Sequence, residues 1–165
     1  MAKKSKHTHG TQAILTLEQA GIDHTVHPYE HDPSTDLGYG LEAAQAIGVA
    51  AQQVFKTLMV VADGKLAVAV VPVDKKLDLK ALATVLGVKK VSMADPAAAQ
   101  RATGYVVGGI SPLGQKNRHR TVIDESALLF EKVYVSGGRR GLDIGLGPQD
   151  LCAATAGQMF SIARD

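Results

Sequence analysis

Apolar positions fall first into helical spacing and then into strand-like runs. Ile14 and Leu17 share one helical face, Thr11 stands where an N-cap belongs and Gly21 where a left-handed stop belongs, so a helix is predicted over about Thr11–Ala20. His24–Glu30 reads as a short strand, with Pro28 restricting it to an edge or a strand end. Asp32 to Gly40 is a loop by composition, and a short helix follows from Leu41 to Ile47. The clearest signal is a hairpin: Val54–Ala62 and Lys65–Pro72 are rich in β-formers and flank Asp63-Gly64. Their almost unbroken apolar character predicts strands covered on both faces, or nearly so. Asp78 caps a helix carrying Leu79, Leu82, Ala83 and Leu86 and stopped by Gly87, and Asp95-Pro96 opens another through Ala102. From Tyr105 a strand is expected to run into a glycine-rich turn. Further strands are predicted at 121–123, 133–136, 142–145 and 159–163, with a short helix over Pro148–Thr155.

Hairpins mixed with scattered short helices do not make the strict alternation of a doubly wound sheet. The expected fold is α+β: one domain over residues 11–165, with a mixed, curved, barrel-like β-sheet and short flanking helices. Residues 1–10 form a basic leader, expected to be a solvated tail. A chain of 165 residues with 45% hydrophobic and 21% charged residues can bury a real core, which excludes a fully disordered protein. Cys152 is the single cysteine, so no internal disulfide can form and a reducing, cytoplasmic setting is expected. No apolar run approaches the roughly 18–20 residues of a membrane helix, and the leader has no apolar core behind it, so no membrane partner is expected.

The net charge of +2 hides an uneven distribution. Residues 1–74 carry five basic and eight acidic side chains, 75–140 carry twelve and five, and 141–165 carry one and three; the segments are −3, +7 and −2. The basic middle suits a phosphate backbone. Scattered surface charge explains it equally well.

Candidate chemistry is sparse. His24, His27 and His31 do not share a strand face and are read as exposed or packed side chains, not as metal ligands. Cys152, in an alanine-rich stretch, is read as a small buried hydrophobe. Nucleophile-elbow, Walker and dinucleotide motifs are absent. What remains is Lys56 inside an apolar strand, where an ammonium needs a cleft or an exposed edge, and two glycine-rich segments. Gly108-Gly109-Ile110-Ser111-Pro112 offers backbone N–H groups to a carbonyl oxygen or phosphate. Ser136-Gly137-Gly138-Arg139-Arg140-Gly141-Leu142-Asp143 repeats the design, although each Gly-Gly is also an ordinary hairpin turn.

Four segments, Tyr29-Glu-His-Asp, Val54-Phe-Lys-Thr-Leu, Thr103 through Lys116, and Tyr134 through Asp143, closely resemble the YbaK family from about Thr11 to the C-terminus. Its members are free-standing Cys-tRNA(Pro) deacylases related to the editing insertion domain of bacterial prolyl-tRNA synthetases. The resemblance implies a trans-editing enzyme without metal or organic cofactor, acting on mischarged Cys-tRNA(Pro) and also on Cys-tRNA(Cys). It places the essential lysine on Lys56 and the Gly-x-x-Pro loop on Gly109–Pro112 with Gly108 ahead. Tyr29, Pro112, Ser136, Gly137 and Asp143 fall on substrate-binding positions, and Lys116, Arg118, Arg139 and Arg140 are candidates for tRNA contact. The implied partners are tRNA and prolyl-tRNA synthetase, not DNA. Two rivals remain: an Ala-tRNA(Pro) deacylase of a sister family, and a non-catalytic RNA-binding module.

Overall fold

The computed structural model describes residues 10–165, so the expected leader lies outside it except for Gly10. The chain runs α1 (Gln12–Ala20), β1 (Thr25–Pro28), α2 (Tyr39–Ile47), β2 (Phe55–Ala62), β3 (Lys65–Pro72), β4 (Lys76–Leu77), α3 (Leu79–Leu86), β5 (Val91–Met93), α4 (Pro96–Thr103), β6 (Arg120–Asp124), β7 (Val133–Arg139), β8 (Leu142–Leu146), α5 (Pro148–Thr155), β9 (Gln158–Phe160) and β10 (Ala163–Arg164). Single 3₁₀ turns lie at Ala51–Gln53 and Glu125–Leu129.

Three helices begin where the sequence places their caps, while α2 starts two residues before the expected Leu41, at Tyr39. Thr11, Asp78 and Asp95 accept the amides of Ile14, Ala81 and Ala98 at 3.3, 3.0 and 3.1 Å. Asp63 and Gly64 both adopt positive φ, 52° and 76°, as the two central residues of a type I′ hairpin turn require. That turn sets the β2–β3 register from Ala62↔Lys65 to Phe55↔Pro72.

The main sheet has the order β5-β2-β3-β6-β9, a second has β1-β8-β7, and β10 pairs with β4. The main sheet is mixed, because β2 is antiparallel to β3 and β5 while β6 is parallel to β3 and β9. Its pleat separates two cores. Phe55, Met59, Val68, Val70 and Ile123 pack with α1 and the β7–β8 ribbon. Val60, Ala67, Ala69, Val71 and Val122 pack with Leu82 of α3 and with Ile162.

Three expectations need correction. The sheets do not close into a barrel: β7 spends its length on β8 and meets the main sheet through one parallel bridge, Val54↔Tyr134. The segment from Tyr105 is not a strand, since residues 104–119 form an irregular loop. The strand expected over 159–163 is split between β9, on the main sheet, and β10, on β4. Asp124 enforces that break. Its buried carboxylate accepts the amides of Ile162 and Ala163 at 2.9 and 3.0 Å, and the Ser126 amide at 3.2 Å.

Removing an acceptor shared by three amides strands buried donors. Asp124→Ala is therefore expected to lower unfolding free energy by about 2–4 kcal/mol in chemical denaturation. A loss below about 1 kcal/mol would mean that the C-terminal segment is anchored elsewhere.

Candidate active site

A cavity of about 380 Å³ opens between α2, the first half of β2, α4 and the 104–119 loop. The end of β5 creates it. Strand β5 covers only Val60–Ala62 of β2. The Val54 carbonyl accepts from Val73 on the β3 side at 2.8 Å, and the Met59 carbonyl accepts from Ala94 on the other side at 3.0 Å. Bonding sides alternate along a strand, so Thr57, between the β7 bridge at Val54 and the reach of β5, turns its backbone groups toward an edge that no strand covers. The cavity wraps this bare edge, and Lys56 and Thr57, on opposite faces of β2, both line it.

Lys56 is half-buried, and among the described residues no carboxylate lies within ion-pair distance of its ammonium. Burial lowers its pKa, opposed in part by the exposed Asp74. Across the cavity, Asp143 on β8 is 6% exposed and its carboxyl is pushed up to about 7 by burial. Tyr29 is pushed up to about 12, first by burial and then by the nearby Asp143 and Glu42 carboxylates, so its hydroxyl stays protonated.

The glycine loop forms the remaining wall. Residues Val106–Gly109 make a turn closed by the Gly109 amide on the Val106 carbonyl at 2.9 Å, with Gly108 at φ +90°. Gln100 of α4 accepts the Val107 amide at 2.9 Å. Ser136 donates to the Gly109 carbonyl at 3.0 Å and accepts the Gly138 amide at 3.2 Å, which fastens the loop to the bulge in β7. Packing there admits only glycine: a Cβ on Gly109 would lie 2.7 Å from the Arg139 Cα.

The structure thus gathers Tyr29, Lys56, Gly108, Ile110, Ser136 and Asp143 around one cavity. Gly109, Ser111, Pro112 and Gly137 are buried behind that surface; the Ser111 hydroxyl accepts the Leu113 amide at 3.2 Å, and the Gly137 carbonyl accepts from Thr11 at 2.5 Å. Lys116, Arg118 and Arg139 are exposed outside the cavity. Arg140 spends its guanidinium on the Val107 carbonyl. The lining includes no cysteine and no histidine. His24, His27 and His31 are engaged separately, with the Ile22 carbonyl, the Thr25 hydroxyl and the Glu42 carboxylate. Cys152 donates to the Gly157 carbonyl. Sequence reasoning missed Tyr39, Thr57, Met93 and Gln100. Tyr39, next to Gly40 at the start of α2, carried the one usable signal, an aromatic in a loop otherwise made of turn residues.

This arrangement can hold a carbonyl group near unpaired loop amides, with a cation on one side and a buried carboxyl on the other. The sequence model of the aminoacyl-tRNA editing domain matches residues 40–153, which include all of the cavity lining except Tyr29, Gly38 and Tyr39. The chain belongs to the aminoacyl-tRNA editing family. A protein of Enterococcus faecalis that bears the name Cys-tRNA(Pro)/Cys-tRNA(Cys) deacylase EbsC is 37% identical over 164 residues, 98% of each chain. The proline–tRNA ligase of Geobacter metallireducens is 32% identical over 97 residues, 59% of this chain and 16% of the ligase. A crystal structure described as a trans-editing enzyme for prolyl-tRNA synthetase superposes with a TM-score of 0.83 at 25% identity, over 93% of this chain and 96% of that one. Among the described residues, no helix is long and apolar enough to cross a membrane.

Asp143 gives stability a definite pH dependence. An aspartate near 3.8 when unfolded and about 7 when folded binds its proton more tightly in the native state. Stability therefore falls as pH rises from about 4 to about 7 and is level above, by up to about 4 kcal/mol. Asp143→Asn is expected to flatten that decline between pH 5 and pH 8 in denaturant titrations. An unchanged slope would show that Asp143 is ionised throughout.

Proposed function

We propose that the protein is a cytoplasmic trans-editing deacylase that removes cysteine from Cys-tRNA(Pro), and from Cys-tRNA(Cys), by cleaving the ester to the tRNA 3′ end. The observation that carries this reading is the convergence of Lys56, the glycine-loop amides and Asp143 on a cavity lined by no cysteine or histidine. Family membership and the near full-length likeness to the Enterococcus faecalis protein support it.

Each group has a role. Lys56 anchors the terminal ribose or its phosphate and holds the ester at the mouth. Of the Gly108–Ser111 loop, the N–H groups of Gly108 and Ile110 receive the oxyanion that develops on the ester carbonyl, because the Gly109 amide is taken by the Val106 carbonyl and Ser111 is buried behind the lining. Loss of one such donor typically costs about 10²–10³ in rate. Asp143, buried without a cation of its own, faces the α-ammonium of the aminoacyl group, and the Tyr29 hydroxyl and Ser136 complete the pocket. Because the lining holds no cysteine or histidine and its Ser136 hydroxyl donates to the Gly109 carbonyl, the thiol of the bound cysteine attacks its own carbonyl. The sulfur–carbon bond forms, the ester carbon–oxygen bond breaks, and the thiol proton passes to the departing ribose oxygen. The products are cysteine thiolactone and a free 3′ hydroxyl. The protein contributes positioning, which supplies several kcal/mol in such intramolecular reactions.

Binding at the tRNA backbone falls to Lys116, Arg118 and Arg139 outside the cavity. Contacts of that kind carry little sequence information, so selection of tRNA(Pro) is assigned to a partner, prolyl-tRNA synthetase.

The test is turnover of a panel of charged tRNAs. Cys-tRNA(Pro) is expected to be deacylated, whereas Ser-tRNA(Pro), which lacks the thiol, survives. Lys56→Ala is expected to keep the fold and lower kcat/KM by about 10²-fold or more. Preferential turnover of Ala-tRNA(Pro) would overturn the thiol mechanism in favour of the sister activity. Tight tRNA binding without turnover would leave a binding module.

A further inference from the structure

We propose that Arg140 is a positioning residue of the deacylation site, acting through the Val107 carbonyl to aim the Gly108 N–H; the inference rests on the deacylase reading above. Its charge and its place after Gly138-Arg139 suggest a phosphate contact, but its geometry serves the loop. Nε and Nη2 both donate to the Val107 carbonyl, at 3.0 and 2.7 Å.

That carbonyl belongs to the central peptide of the Val106–Gly109 turn. Val107 has negative φ and Gly108 has φ +90°, the pattern of a type II turn. Types I and II differ mainly by a flip of this central peptide. Glycine at the third position adopts either φ sign at little cost, so the local sequence does not choose between them. The guanidinium chooses. The peptide is trans, so its N–H, on Gly108, points opposite to the captured carbonyl and away from Arg140. Among the described residues the Gly108 amide donates to no other group, and Gly108 lines the cavity. One peptide along, Ser136 holds the Gly109 carbonyl, and the Ile110 N–H is turned in the same manner.

The clamp is itself held. The Arg140 guanidinium lies 5.1 Å from the centre of the Tyr39 ring, at the start of α2. The Tyr39 and His31 rings are 5.3 Å apart, and His31 bonds the buried Glu42 of α2 at 2.7 Å. A Cβ on Gly108 would meet both Arg140 Nε and the Tyr39 ring at 2.7 Å. Arg140 therefore couples α2 to the direction in which an oxyanion donor points.

Steady-state deacylation of Cys-tRNA(Pro) by the wild type, Arg140→Gln and Arg140→Lys, over a series of salt concentrations, tests this, together with amide hydrogen exchange at Gly109. For Arg140→Gln, kcat is expected to fall about 10²-fold, with KM within about twofold and its salt dependence unchanged. The Gly109 amide, which closes the turn, should exchange faster. Arg140→Lys restores one donor and should recover part of kcat; it also serves if the glutamine variant fails to fold. A wild-type kcat with raised KM, and a log–log salt slope reduced by about 1, would overturn the proposal and make Arg140 a phosphate contact. If the wild type turned over no substrate, the deacylase reading would fall. The exchange measurement would still judge the clamp, because unchanged Gly109 protection overturns it.

Discussion

The site depends on the need of an unpaired backbone to bond its carbonyls. Residues 104–119 cross the molecule between α4 and β6 without a strand partner, so no ladder satisfies them. Side chains do it instead, at every second residue: Arg140 takes the Val107 carbonyl, Ser136 that of Gly109, Gln115 that of Ser111 and Tyr105 that of Leu113. Buried backbone acceptors left unbonded are costly, which applies to Gly109, Ser111 and Leu113, while the two-pronged bond from Arg140 holds the more exposed Val107 carbonyl. The same geometry leaves the intervening amides of Gly108 and Ile110 on the opposite side, where the cavity is. Among the described residues, a row of free N–H groups along the cavity thus arises as a by-product of satisfying the carbonyls.

The donors explain features that otherwise look unrelated. The bulge between Ser136 and Arg139 in β7 brings a hydroxyl and a guanidinium to bear on one loop, and Thr11, which caps α1, tethers that bulge through the Gly137 carbonyl. The uncovered length of β2 then becomes useful, because it leaves Lys56 facing the loop across a space no strand fills. Electrostatics push the same way. Lys56 and Asp143 are both held where burial disfavours their charged forms. A substrate carrying a phosphate or ribose at one end and an ammonium at the other relieves both.

Much of the fold was legible because its signals are local. Asp63-Gly64 specified a hairpin, and Thr11, Asp78 and Asp95 specified helix starts, each through bonds made within a few residues. The failures were long-range. Tyr105-Val-Val has the composition of a strand, but the donors to the carbonyls of the 104–119 loop come from β7, the β7–β8 turn and the loop itself, and no propensity reports that. Barrel closure turned on whether the edge of β7 left free by β8 would pair along β2, which tertiary packing decides. The motifs located Lys56, the glycine loop and Asp143, because unusual residues in apolar or glycine-rich settings stand out. Gln100 and Tyr39 look ordinary in sequence, and Arg140 looked like surface charge because a sequence shows its sign but not its partner.

The separation of charge from cavity bears on how such a site discriminates. The basic excess lies over residues 75–140, yet it supplies no cation to the cavity lining, whose one lysine, Lys56, comes from the acidic first segment. Under the deacylase reading, exterior lysines and arginines attract any tRNA, and an apolar pocket of this kind distinguishes small side chains by only about 1–3 kcal/mol. Neither is enough to spare correctly charged tRNA. Under the deacylase reading, the missing discrimination lies in the lining itself: with no cysteine, histidine or activated hydroxyl to attack the ester, any aminoacyl group that lacks an internal nucleophile can bind and leave unharmed. Adding a strong nucleophile to the wall would increase rate and erase selectivity together, so the chemical poverty of the cavity is the selective element.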